Sequence, residues 1–137
     1  MNKTRILIVD DDVCVTEVLA RVFERAGFEV AKAPNGEKAL SLLSGAIFDI
    51  MICDICMPKM SGERLCNHLW TVGPYLPACT LIVTSRADEA DRSWVTRMPG
   101  LTLVEKPVGP KHLLRIVREK LATAGEVDSK GAEEEAA

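Results

Sequence analysis

Apolar and polar positions along this chain follow two rhythms. Five short runs are largely apolar and rich in β-branched residues: TRILIVD (4–10), FEVAKA (28–33), FDIMICD (48–54), CTLIVT (79–84) and LTLVE (101–105). Runs of this length and content read as strands buried in a parallel sheet. Between them the spacing becomes helical. Val15, Val18, Leu19, Val22, Phe23 and Ala26 fall at i, i+3, i+4, i+7, i+8 and i+11, one apolar stripe that Gly27 terminates. A second helix is expected from an Asn35 cap through Ala39, Leu40 and Leu43 to Gly45, and a third from Ser61 past Leu65 and Leu69 to Gly73. The fourth, over about 86–98, begins with the charged stretch RADEADR and leaves Ala87, Ala90, Trp94 and Met98 for its inner face. The fifth begins near Pro110, a residue suited to a first helical turn, and presents Leu113, Leu114, Val117 and Leu121 inward.

Strand–helix alternation repeated five times predicts a three-layer α/β domain with a parallel sheet and right-handed crossovers. Ligands of such sheets bind outside the carboxyl ends of the strands, so the residues that end each strand carry the chemistry. Strand one ends in Asp10-Asp11-Asp12, strand three in Asp54, strand four in Thr84-Ser85 and strand five in Glu105-Lys106-Pro107. Clustered carboxylates repel and raise one another's pKa unless a hard, oxygen-preferring cation sits among them, and Mg²⁺ is the natural candidate. A threonine hydroxyl and a lysine at the same edge can both donate to an anion arriving at that metal. Metal, phosphate and a carboxylate nucleophile together describe an aspartyl-phosphate site.

At these residues the chain resembles the receiver domain of two-component response regulators. LIVDDD, DICMPKMSG, LIVTS and EKP stand in the family's order and at its usual spacings, and the resemblance covers roughly residues 4 to 121. It implies a flavodoxin-like (βα)5 sandwich with strand order 2-1-3-4-5. It further implies Asp54 as phosphoacceptor and Asp10 and Asp11 as the acidic pair, Asp11 being the stronger candidate for direct ligation. The Cys56 carbonyl would complete the metal ligands, with Thr84 as switch hydroxyl, Lys106 as phosphoryl-binding ammonium, and a cis bond between Lys106 and Pro107. The implied partners are a sensor histidine kinase or phosphotransfer protein and an output protein docking on the face of helix four, strand five and helix five. A homodimer is a further option. The implied role is a switch with slow self-dephosphorylation rather than a turnover enzyme. Two positions depart from the family pattern. Leu103 and Val108 stand where aromatic residues are usual.

Other readings compete for the same residues. LIVDDDV also fits the nucleophile motif of haloacid-dehalogenase-like phosphatases, with Asp10 attacking and Asp12 as acid. Those enzymes need a second acidic pair after the lysine, and beyond Lys106 only Glu119 and tail acids remain. A flavin site fares worse, because Asp10–Asp12 would repel a phosphate at that loop. Asp12 also reads simply as the cap of helix one, and it is assigned no metal. Cys53-Asp-Ile-Cys56 has redox or zinc spacing, yet Cys53 falls within a strand, on the face opposite Asp54, and no second CxxC exists. The five cysteines therefore read as reduced small hydrophobes. His68 and His112 are expected on helix surfaces, and Lys111, Arg115, Arg118 and Lys120 as a solvated basic face of the last helix.

Composition narrows the class. At 137 residues, 47% hydrophobic and 27% charged, the chain suits one globular domain with a proper core. Residues 122–137 carry five acids and Lys130, a net −4 that leaves +1 on the body. We expect a receiver unit over 1–123 and a disordered acidic tail over 124–137. The body is too weakly basic to suggest a nucleic-acid surface. No 18-residue apolar stretch or signal-peptide pattern is visible, so the expectation is a cytoplasmic protein with no membrane contact. The same motifs suit a free-standing regulator or a receiver belonging to a hybrid kinase or multidomain regulator.

Overall fold

The computed structural model describes residues 3–85 and 88–136, with side chains described through residue 123. Five strands alternate with five helices: β1 Arg5–Val9, α1 Val13–Arg25, β2 Glu29–Ala33, α2 Gly36–Gly45, β3 Ile50–Asp54, α3 Gly62–Thr71, β4 Cys79–Thr84, α4 Glu89–Arg97, β5 Leu101–Glu105 and α5 Pro110–Ala136. The strands form one parallel sheet in the order β2-β1-β3-β4-β5, as expected. Residues 124–136, expected as part of a disordered tail, continue the α5 backbone, their side chains and Ala137 lying outside what is described.

Strand parity divides the core into two layers. Ile6, Ile8, Ile50, Ile52, Leu81 and Val83 face α1 and α5, meeting Leu19, Phe23, Leu113 and Val117. Their neighbours Leu7, Val9, Met51, Cys53 and Ile82 face Ala39 and Leu43 of α2, Leu65, Cys66 and Leu69 of α3, and Trp94 of α4. Because side chains alternate along a strand, Asp54 shares the parity of Ile50 and Ile52, and Cys53 points to the opposite layer. The three central strands are buried almost throughout, whereas β2 and β5 form the partly exposed edges.

Helix starts follow the capping residues seen in the sequence. Asp12 Oδ1 accepts from the N–H groups of Cys14 and Val15, Asn35 from Lys38 and Ser61 from Arg64. A cap that the sequence reading did not single out opens α4, where Asp88 and Asp91 form a reciprocal capping box.

Two inner faces differ from expectation. Val18 is 51% exposed although it belongs to the α1 stripe; the stripe is wider than the surface that α5 covers. In α4, Val95 joins Trp94 inside while Ala90 is exposed. The charged first turn carries the capping box and stays in solvent, which rotates burial toward the C-terminal half. Ala87 lies outside the described residues.

Gly62 fixes how α3 docks beneath the loop after β3. Its N–H donates to the Ile55 carbonyl at 2.8 Å, and a Cβ there would stand 2.5 Å from the Asp54 carbonyl oxygen and 2.9 Å from Ile55 Cα. Both obstacles are backbone, which cannot swing aside. At Gly36 the corresponding obstacle is the flexible thioether of Met60, at 2.6 Å from Sδ. Gly62→Ala should therefore cost roughly 1–3 kcal/mol, as overpacking does, and Gly36→Ala clearly less. Urea midpoints of the two variants check this; equal losses would contradict the packing argument.

Candidate functional site

Three carboxylates meet at the carboxyl end of the sheet. Side-chain oxygens of Asp10, Asp11 and Asp54 all lie within 4.8 Å of one another, making this the acidic cluster able to hold a cation among the described residues. Adjacency of β1 and β3 brings them together, since Val9 pairs with Cys53 and each strand is followed or ended by its aspartate. Asp10 is held on both sides: its N–H donates to the Ala33 carbonyl at 3.1 Å, and its Oδ1 accepts the Asp12 N–H at 2.9 Å. Only 6% of Asp10 is exposed, while Asp11 is exposed and Asp54 half-buried.

The single ammonium of the site approaches from β5. Lys106 Nζ stands 3.5 Å from Asp10 Oδ2, and the Lys106 N–H donates to the Thr84 carbonyl at 2.7 Å. That bond ties the loop after β5 to the end of β4. Thr84 itself is 1% exposed, one position beyond Val83, the partner of Asp54 across β3 and β4. The Lys106–Pro107 bond is cis.

Electrostatics single out Asp54. Burial pushes its carboxyl above the usual carboxylate range, Lys106 opposes that rise, and Asp10 and Asp11 add to it while the Cys56 backbone N–H lowers it. A group at this position gains from any cation that enters the cluster. Oxygen-only donors, three negative charges and one exposed member form a set that suits a small hard cation. Cys56 contributes its N–H to Asp54 and has an exposed side chain.

The structure brings Asp10, Asp11, Asp54 and Lys106 together, and Thr84 is joined to them through the Lys106 backbone. Asp12 caps α1, its Oδ1 accepting from the N–H groups of Cys14 and Val15, as the capping reading expected. All five cysteines are free. Burial drives the Cys53 thiol far up and that of Cys66 to about 12, so neither offers a thiolate near neutral pH. His68 is half-buried and His112 exposed. Two features escaped sequence reasoning: the Asp12 N–H that orients Asp10, and the Arg92–Glu105 ion pair joining α4 to β5. The first needed the loop geometry. The second had a signal, opposite charges near facing elements, but exposed pairs of this kind are too common to predict.

The direction of the Asp54 shift sets the sign of its effect on stability. Its folded pKa lies above the unfolded value, so Asp54 costs least at low pH and stability is lost as pH rises through the folded pKa. In metal-free buffer at pH 7, Asp54→Asn should raise the urea midpoint, with the gain vanishing near pH 3, below the usual carboxylate range. A divalent cation should reduce the gain by stabilising the wild type. A lower midpoint for the variant at pH 7 would overturn the assignment of strain to Asp54.

Residues 6–118 match the response regulator receiver domain. The chain is 36% identical over 116 residues to an uncharacterized 14.6 kDa protein of Leptolyngbya boryana, covering 83% of this chain and 87% of that one. It is 31% identical over 121 residues to a probable transcriptional regulator, ycf27, of Cyanophora paradoxa; that match covers 88% of this chain but about half, 49%, of the regulator. Among solved structures, a CheY-like receiver domain protein of Methanospirillum hungatei superposes with a TM-score of 0.82 at 27% identity, covering 91% of this chain and 98% of that one. With this match spanning the strand-end cluster, the chain belongs to the response regulator receiver domain family, the phosphoacceptor signalling module of two-component systems.

Proposed function

We propose that Asp54 accepts a phosphoryl group from the phosphohistidine of a sensor histidine kinase or phosphotransfer protein, and that the protein is a switch rather than a turnover enzyme. The observation that carries this is the meeting of Asp54 with Asp10 and Asp11 within 4.8 Å while Lys106 stands 3.5 Å from Asp10. In this reading the Asp54 carboxylate attacks and the Lys106 ammonium meets the incoming charge. Mg²⁺, held by Asp10, Asp11, Asp54 and the Cys56 carbonyl, would supply the positive charge that lets phosphoryl oxygens approach three carboxylates. In the transfer, an Asp54 carboxylate oxygen bonds phosphorus as the phosphorus–nitrogen bond of the donor breaks, and the electron pair leaves with the imidazole. Lys106 donates to a phosphoryl oxygen, and the buried Thr84 hydroxyl is the group proposed to follow it. Among the described residues no helix is long and apolar enough to cross a membrane; a cytoplasmic setting, where kinases present their phosphohistidines, is the compartment proposed.

The output face departs from the family's aromatic pattern. Leu103 pairs with Ile82 across β4 and β5 and packs into the layer under α2, α3 and α4, while Val108 packs into the α1 and α5 layer. No ring at Leu103 can swing to report phosphorylation. The proposed route therefore runs from Thr84 and Ser85 into α4, whose Arg92 is ion-paired with Glu105 of β5. Phosphorylation moves that equilibrium only by its differential affinity for the two arrangements.

Incubation with Mg²⁺ and acetyl phosphate should add one acid-stable, base-labile phosphoryl group per chain. Asp54→Asn should abolish it and Lys106→Ala should slow it roughly a hundredfold, the usual loss for one electrostatic donor. Label that survives Asp54→Asn but not Asp10→Asn would refute the proposal. Comparison of amide spectra with and without beryllofluoride should show shifts at Thr84, α4 and β5. Shifts confined to the neighbours of Asp54 would remove the switch while leaving phosphate binding intact.

A further inference from the structure

A cavity of about 660 Å³ opens beside the carboxylate cluster, lined by Asp10, Asp54 and Lys106 at one end and by apolar side chains over the rest. Its apolar floor is the sheet, at Ile8, Ile52 and Val83, and its outer walls are Val15 and Val18 of α1 and Pro107 and Val108 of the loop after β5. This explains the exposed Val18. It belongs to the rim of the cavity. The small side chain of Val108 and the absence, among the described residues, of any charged side chain on the apolar walls leave the space open to a hydrocarbon group. A concave, mostly apolar site with a few convergent polar groups is the form that small-molecule sites take, and 300–1,000 Å³ is their usual range.

We propose that this cavity selects the small-molecule phosphodonor of Asp54: an acyl phosphate with a short apolar chain, such as butyryl or benzoyl phosphate, in preference to acetyl phosphate. The inference rests on Asp54 being the phosphoacceptor. Continuity argues for the occupant, because the cavity shares Asp10, Asp54 and Lys106 with the phosphorylation site and provides apolar surface only beyond them. The proposal places the leaving group of a donor whose phosphoryl group lies against Lys106 beside Val15 and Val18 of α1 and the loop after β5. In the step, an Asp54 carboxylate oxygen bonds phosphorus and the phosphorus–oxygen bond to the acyl group breaks. The acyl carboxylate departs with the electron pair, and no proton or further reactant is needed. Each methylene buried on the way to that state should speed the reaction, up to roughly fourfold when burial is complete.

The test measures initial rates of Asp54 labelling with phosphoramidate, which has no apolar group, and with acetyl, propionyl, butyryl and benzoyl phosphates. The expected result is a rise of about two- to fourfold per methylene across the aliphatic series, with benzoyl phosphate also ahead of acetyl phosphate. In Val18→Asn, which places an amide on the exposed rim, the rise should flatten while the phosphoramidate rate stays unchanged; that rate also reports that the variant is folded. Equal rates for all acyl phosphates, or a chain-length preference that persists in both Val18→Asn and Val108→Asn, would overturn the inference and leave the phosphoacceptor reading standing. Failure of every donor, phosphoramidate included, would instead strike the phosphoacceptor reading on which the inference is built.

Discussion

Crowding of three carboxylates at one sheet edge is the constraint around which this domain is arranged. Asp10, Asp11 and Asp54 approach within 4.8 Å, and among the described residues the ammonium set against them is that of Lys106. In water such a group would spread apart. Here Asp10 and Asp54 are fixed by β1 and β3, which pair residue by residue, and Asp10 is further held by the Asp12 N–H. The fold thus stores repulsion that a cation can relieve, and burial has already raised the pKa of one member, Asp54.

Everything that positions the cluster is backbone pairing and close packing. Strand parity sends Asp54 toward the α1 and α5 layer and Cys53 into the opposite one. Its thiol donates to the Asp54 backbone carbonyl, 3.3 Å away, and stays protonated. Gly62 allows α3 to press against the Asp54 and Ile55 backbone. Lys106 is tied by the hydrogen bond of its N–H to the Thr84 carbonyl, which makes the lysine's position depend on the end of β4. The proposed switch would use these links, from Thr84 to Lys106 and through the Glu105–Arg92 pair to α4.

The fold was legible because its signals are local and repeated. Five apolar runs, caps at Asp12, Asn35 and Ser61, and the stop at Gly27 each specify a boundary through short-range chemistry, and the observed elements start and stop within a few residues of them. The site residues could be named for a related reason: parallel strands deliver their last residues to one edge, so Asp10, Asp54, Thr84 and Lys106 had to be neighbours once the strands were assigned. What depends on distant surfaces was harder. The α1 stripe looked uniformly buried, yet Val18 is exposed because α5 covers less of it than periodicity can reveal. The inner face of α4 was misjudged because a capping box holds its first turn in solvent, leaving Val95 rather than Ala90 to pack. The apolar cavity between α1 and the loop after β5 has no sequence signature, since its walls are ordinary core residues that happen to stop short of one another.

Direct chemical location of the phosphoryl group decides the central claim. After reaction with a phosphodonor and Mg²⁺, borohydride reduction converts an aspartyl phosphate to homoserine in place, and peptide mass spectrometry reads its position. The account predicts homoserine in place of Asp54 alone, within the peptide that carries FDIMICDICMPKM. Homoserine in place of Asp10, or none at any aspartate under conditions that phosphorylate other receiver domains, would contradict it.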